Sequence, residues 1–197
     1  MQHLFQQALP FALAAVGYVF TSWHSLEEDR RSGRIARVNE QVKELYGPLL
    51  MCITSTKSAY DAMVRQHSHD GSVECFFTAV RRDPNGHEAR VYRNWVKEVF
   101  MPLNSKAAAI VISRADLLES PTVDNLLLQF VAHVSAYQVI VKQWETGELS
   151  AYSVVPFPDE LHDFIKKEYT WIKKRQAHLL GIVPAMQHQQ LAIASKL

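Results

Sequence analysis

The chain has 197 residues, 48% of them hydrophobic and 21% charged, with a formal net charge of +1. That size and balance fit one folded domain with an appendage and exclude a disordered chain. Near-neutrality supplies no overall field toward nucleic acid. The seven glycines show neither G-x-G-x-x-G nor G-x-x-x-x-G-K-[ST] spacing, which removes the main support for a phosphate cradle.

Twenty residues from Leu4 to Trp23 carry no formal charge. As a helix they rise about 30 Å, the thickness of a bilayer's hydrocarbon core. The expectation is therefore an N-terminal transmembrane helix, its apolar side chains including Leu9, Phe11, Leu13, Val16 and Phe20. Tyr18 and Trp23 stand at its end, where aromatic rings favour the interface. A cleaved signal peptide would carry Lys or Arg before the apolar run, and none is present. A helix lying in the interface would need a polar face that Ala8 to Phe20 lacks; a buried core helix is the remaining alternative.

Arg30, Arg31, Arg34 and Arg37 follow this span. The positive-inside bias then places the following domain on the cytoplasmic, matrix or stromal side. A bacterial inner membrane or an organelle inner membrane fits, the mitochondrial one in preference to the thylakoid. Sparse cysteine agrees with a reducing side, since Cys52 and Cys75 form no paired motif.

Beyond the anchor, Ile35, Val38, Val42, Leu45 and Leu49 recur at helical spacing. Gly47-Pro48 predicts a kink or short break in that helix, which resumes to about Gln66. Ser68 to Ser72 reads as a loop. Val73 to Val80 is ambiguous between helix and strand. Asp83-Pro84-Asn85-Gly86 is a turn. Val91, Trp95 and Val99 mark a helix that Pro102 kinks or splits. Ser120-Pro121 reads as a cap with a first-turn proline before the long stripe from Val123 to Trp144. Pro158-Asp159-Glu160 opens a last helix, and Gly181 suits its C-terminal end. These elements predict an all-α chain: anchor and juxtamembrane segment 1–32, antiparallel helical bundle 33–181, and C-terminal tail 182–197.

The stretches R-V-N-E-Q-V-K-E-L-Y-G-P-L-L (Arg37 to Leu50) and Y-T-W-I-K-K-R-Q-A-H-L-L-G (Tyr169 to Gly181) resemble an uncharacterised family of single-pass, membrane-anchored helical proteins. The resemblance implies the anchor-plus-bundle layout and no activity, cofactor or site residue.

Several constellations carry chemistry on paper. His67, His69, Asp70 and Cys75 are the best metal candidates, yet four ligands at C-x-x-C or H-x-x-x-H spacing are missing, so a solvated loop is the plainer reading. Asp159, Glu160, His162 and Asp163 coincide with a helix start, where the macrodipole favours carboxylates. Lys166, Lys173 and Lys174, with Arg30, Arg31 and Arg34, are candidates for contact with lipid headgroups or a partner protein. Acidic residues sharing their helix argue against nucleic acid. His133 reads as a core histidine bonded to backbone. His3 and His24, near the two ends of the span, could ligate a pigment or haem, although interfacial histidines are ordinary. No serine, cysteine or threonine stands in a nucleophile motif.

No catalytic, metal or cofactor residue is therefore assigned. The expected function is a non-catalytic accessory or scaffold subunit of a multisubunit membrane complex, of respiratory, ATP synthase or photosynthetic type, with other subunits and the bilayer as partners. The alternative is a membrane-tethered adaptor or sensor whose bundle binds a soluble partner or ligand.

Overall fold

The computed structural model describes the backbone of residues 2–182 and the side chains of Tyr18 and of residues 21–182. The fold is an all-α helical bundle, with no strand among the described residues. Its helices are α1 (Gln2–Glu40), α2 (Gly47–His67), α3 (Val73–Arg82), α4 (His87–Trp95), α5 (Met101–Ser113), α6 (Asn125–Glu145) and α7 (Leu161–Leu179).

Among the described residues two compact units are present: residues 40–173, and residues 2–39 together with 174–182. In the second of these, Gln176 Nε2 donates to Asn39 Oδ1 at 2.7 Å and Arg31 Nη2 to the Leu179 carbonyl at 3.2 Å. Gly181 ends α7 with φ +72°. Its N–H reaches the His178 carbonyl and the Ile182 N–H the Ala177 carbonyl, the paired closure that a left-handed residue makes possible.

The larger unit is built on α2 against α5, α5 against α6, and α3 against α4. Thr56 meets Asn104, while the earlier Gln41 meets the later Leu117, so α2 and α5 run antiparallel. Met63, Val64, Phe76, Val96 and Phe100 form one buried cluster, ringed by Tyr60, Phe77, Tyr92, Tyr137 and Trp144. Leu161, Ile165 and Ile172 bury one face of α7.

Pro48 and Pro102 each lie two residues beyond the end of a π-helical turn. Gln41–Tyr46 precedes Gly47-Pro48, and Val96–Phe100 precedes Met101-Pro102. A proline ring crowds the carbonyl four residues back and offers it no N–H. Each wide turn closes instead through the residue before proline: Gly47 N–H bonds the Val42 carbonyl, and Met101 N–H that of Val96. A Cβ on Gly47 would lie 2.6 Å from the Val42 carbonyl oxygen, so this close approach requires glycine. The expected breaks are thus widened turns within helical rods.

Three expectations change. Val73 to Val80 is helix, because Ser72 caps it by accepting from the Cys75 N–H at 3.1 Å. Ser120 does not cap α6: its hydroxyl accepts from the Thr122 N–H in a local turn. Asp124, with extended backbone, accepts from the Leu126 N–H at 2.8 Å as the cap.

The third concerns the membrane span. Among the described residues no helix is long and apolar enough to cross a membrane. The expected span lies in the backbone of α1, but Leu9, Phe11, Leu13, Val16 and Phe20 have side chains outside the described residues. The described continuation is polar, with Glu27, Glu28, Asp29, Arg30, Arg31, Arg34 and Arg37 all exposed. The transmembrane helix is therefore not carried by the described structure.

Candidate functional site

The residues singled out from the sequence stand mostly apart. Tyr18 and Trp23 are exposed, at 74% and 70%. Arg30 is exposed, and Arg34 pairs with Glu27 at 3.2 Å. Lys166, Lys173 and Lys174 are exposed on α7. His24 faces Glu28 at 3.5 Å, and His3 lies outside the described side chains.

In the 67–75 loop the groups are occupied with turn formation. The Asp70 carboxylate accepts from the Ser72 N–H at 2.8 Å and the Ser68 hydroxyl at 3.1 Å. Those bonds, the backbone one first, hold its pKa down to about 2. The His67 ring lies 5.9 Å from that of His87. Among the described residues no group of three or more His, Cys, Asp or Glu side chains is placed to hold a metal.

What the fold does bring together is a cleft of about 990 Å³ within the larger unit. Ile53, Thr56, Val96, Phe100, Asn104 and His133, all buried, line its inner part. Tyr60, Phe77, Tyr92, Tyr137 and Phe157 give it aromatic walls, and Lys57, Asp61, Glu74, Arg81, Asp159 and Asp163 stand exposed around it.

One wall is the irregular segment between α6 and α7, fixed from beneath by α6. Trp144 Nε1 donates to the Ala151 carbonyl at 2.8 Å. The Phe157 ring lies edge-on to Phe130 at 5.8 Å and to His133 at 5.4 Å. His133 Nδ1 meets the Val155 carbonyl at 2.8 Å, the backbone bond expected of a core histidine. A carbonyl only accepts, so Nδ1 carries the proton and Nε2 keeps a lone pair. Burial lowers the His133 pKa below its ordinary 6.5, against the pull of the Val155 and Pro156 carbonyls, and the ring is neutral at pH 7.

Asn104 is only 5% exposed. Its side-chain carbonyl accepts from the Thr56 hydroxyl at 3.1 Å, and Thr56 is its side-chain partner. The amide NH₂ of this cleft residue is left with two hydrogens to donate.

The Tyr92 and Tyr137 hydroxyls share one hydrogen bond of 2.7 Å, so one hydroxyl hydrogen of the pair remains available. Burial raises the pKa of both phenols. Tyr60 is pushed up to about 12, by burial first and then by the charges of Asp61, Tyr137 and Asp159. All three phenols are neutral at physiological pH.

The cleft thus combines apolar area with uncharged donors and one imidazole acceptor inside, and charge only at its margin. Of its polar groups the sequence pointed to His133, Asp159, His162 and Asp163, for other reasons. Thr56, Tyr60, Asn104 and Tyr137 carried no motif, and only their place on otherwise apolar helical faces could have drawn attention to them.

Fold and site together define an all-α bundle with an amphipathic cleft. The sequence matches no family model, and no match emerges among curated proteins or among solved structures. What the cleft does is therefore read from its own residues.

Proposed function

We propose that this chain is a membrane-tethered sensor or adaptor whose helical unit receives a small molecule. The observation that carries the reading is the 990 Å³ cleft with two buried polar side chains, Asn104 and His133, in its inner lining. Ligand pockets commonly measure about 300–1,000 Å³, mostly apolar with a few convergent polar groups. Buried polar groups cost stability unless they are paired, and each of these two makes one bond within the fold and has further hydrogen-bonding capacity. No catalytic residue is assigned.

The tether is part of the same proposal. Leu4 to Trp23 is free of charge, Tyr18 and Trp23 project aromatic rings beside it, and Arg30, Arg31 and Arg34 follow. Residue 33 onward then lies on the cytoplasmic, matrix or stromal side of a bacterial or organelle inner membrane. Alkaline extraction of native membranes tests this: retention of the full chain in the pellet is expected, and release into the supernatant would overturn the tether. The ligand-receiving role is tested by a thermal-shift screen of small amphipathic compounds. Several compounds should raise the melting temperature of the native chain, but not of a Thr78→Trp variant that obstructs the cleft.

A second reading, a non-catalytic accessory subunit of a bioenergetic membrane complex, is favoured by a different observation. Met51, Ile112, Leu128, Val139 and Val154 are large apolar side chains at 54–89% exposure on the same unit. Exposed apolar surface of this kind suits contact with other subunits. Mild-detergent extraction followed by native gel and mass spectrometry separates the two readings. Migration with a defined set of proteins supports the subunit; migration alone supports the sensor.

A further inference from the structure

The charge around the cleft, the faces of its walls and the groups inside it restrict what it can hold. Four carboxylates (Asp61, Glu74, Asp159 and Asp163) stand at its margin against two basic side chains, Lys57 and Arg81. Lys57 already faces Asp61 at 3.6 Å and His162 Nδ1 faces Asp163 at 3.0 Å, which leaves Glu74 and Asp159 against Arg81 and the margin net negative. Tyr60 stands within that field: its hydroxyl keeps its proton first because of burial, and then because of Asp61, Tyr137 and Asp159. No cationic side chain stands among the buried lining residues, so nothing inside would compensate an anion.

The walls agree in sign. Tyr60, Phe77 and Tyr92 present aromatic rings, and the negative face of such a ring attracts a cation by about 0.5–2 kcal/mol. Deeper in, the requirement is different and independent of charge. The Asn104 amide, 95% buried by the 5% exposure of its residue, has hydrogens to donate. His133 Nε2 has a lone pair to accept. A hydroxyl group suits this inner lining, since its oxygen accepts from the Asn104 amide and its hydrogen can be donated in turn.

Resting on the reading of the cleft as a ligand site, the geometry points to a small aromatic or apolar-bodied amine, protonated at neutral pH and carrying a hydroxyl at its far end. The ammonium group lies toward Asp159 and Asp163, the body between the aromatic walls, and the hydroxyl against Asn104 and His133. A carboxylate of the same shape would place its charge in the wrong field, and a neutral analogue would keep the inner contacts alone.

Titration calorimetry of the full-length protein with three matched probes tests this: tyramine, p-cresol and phloretate, which share a phenol and differ in charge. Tyramine is expected to bind at least about tenfold more tightly than p-cresol, and phloretate more weakly than either. Added salt should weaken tyramine and leave p-cresol unchanged. The exposed double variant Asp159→Asn, Asp163→Asn should abolish the preference for tyramine while p-cresol still binds. Equal binding of tyramine and p-cresol, or preference for phloretate, would overturn the charge assignment and leave the cleft a ligand site. Failure of all three probes to bind while the thermal-shift screen still yields ligands would overturn the amine proposal alone; failure of both would overturn the ligand reading with it.

Discussion

The antiparallel α2 and α5 rods are joined by polar groups at two levels, and the two levels are finished differently. At one, Gln41, only 2% exposed, donates both amide hydrogens inside the fold, to the Leu117 carbonyl and to Glu119 Oε2, each at 2.9 Å. The Glu119 N–H in turn reaches the Tyr46 hydroxyl at 3.3 Å. At the other, Thr56 and Asn104 make a single bond and the rest of the Asn104 amide belongs to the cleft. Polar groups that stitch a fold spend their capacity on the chain itself, whereas those of a binding site keep some in reserve. Gln41 Oε1 shows that even the closed level is imperfect, for it is a buried acceptor without a partner. Its amide cannot be turned around, because both hydrogen-bond partners on the other side are acceptors.

The comparison can be broken most sharply at Gly47. Gly47→Ala brings a Cβ to 2.6 Å from the Val42 carbonyl oxygen, and the wide turn carrying Gln41 and Tyr46 must shift. Overpacking costs about 1–3 kcal/mol and outweighs the ~1 kcal/mol that alanine gains over glycine in a helix. Urea denaturation should therefore show a lower midpoint; an unchanged or higher one would mean that the turn relaxes freely.

Gln41→Met keeps the volume and strands the Leu117 carbonyl. A loss of about 1–2 kcal/mol is expected by the same measurement, reduced by removal of the unpartnered Oε1. A neutral result would remove the contrast between the two levels.

His133 sharpens it through pH. Its pKa is lower in the folded state than the 6.5 of an unperturbed histidine, so the unfolded chain binds the extra proton first. Its contribution is complete above about pH 6.5, declines as pH falls through that value, and is lost once pH passes below the folded pKa. The slope of stability against pH in that acid window should flatten in His133→Gln. An unchanged slope would assign it to other groups.

The smallest effect is expected at the open level. Thr56→Val with Asn104→Leu replaces both partners of the pair by apolar groups of similar shape, which is close to neutral, within about 1 kcal/mol. A large loss would make the pair structural and count against the cleft as a site.

Much of the fold was legible along the chain. The stripes at Ile35 to Leu49 and Val123 to Trp144, the Asp83–Gly86 turn and the glycine at 181 are local signals, and local physics honoured them. Val73 to Val80 was not legible, because a short apolar run suits helix or strand until a cap decides, and Ser72 is that cap. Ser120 misled because two competing caps lie four residues apart and only the backbone conformation at Asp124 chooses between them. The cleft was hardly legible at all. Thr56, Asn104 and His133 come from three helices, and no spacing in the sequence links them.

By itself, then, the sequence determined the helical class, the positions of the turns and the uncharged N-terminal stretch, since periodicity, glycine, proline and charge act over a few residues. Only the tertiary structure decided that Gln41 is closed off while Asn104 and His133 keep hydrogen-bonding capacity toward a cleft. That choice depends on which groups from distant helices arrive within about 3 Å, a length at which pairing or its absence is settled by packing alone.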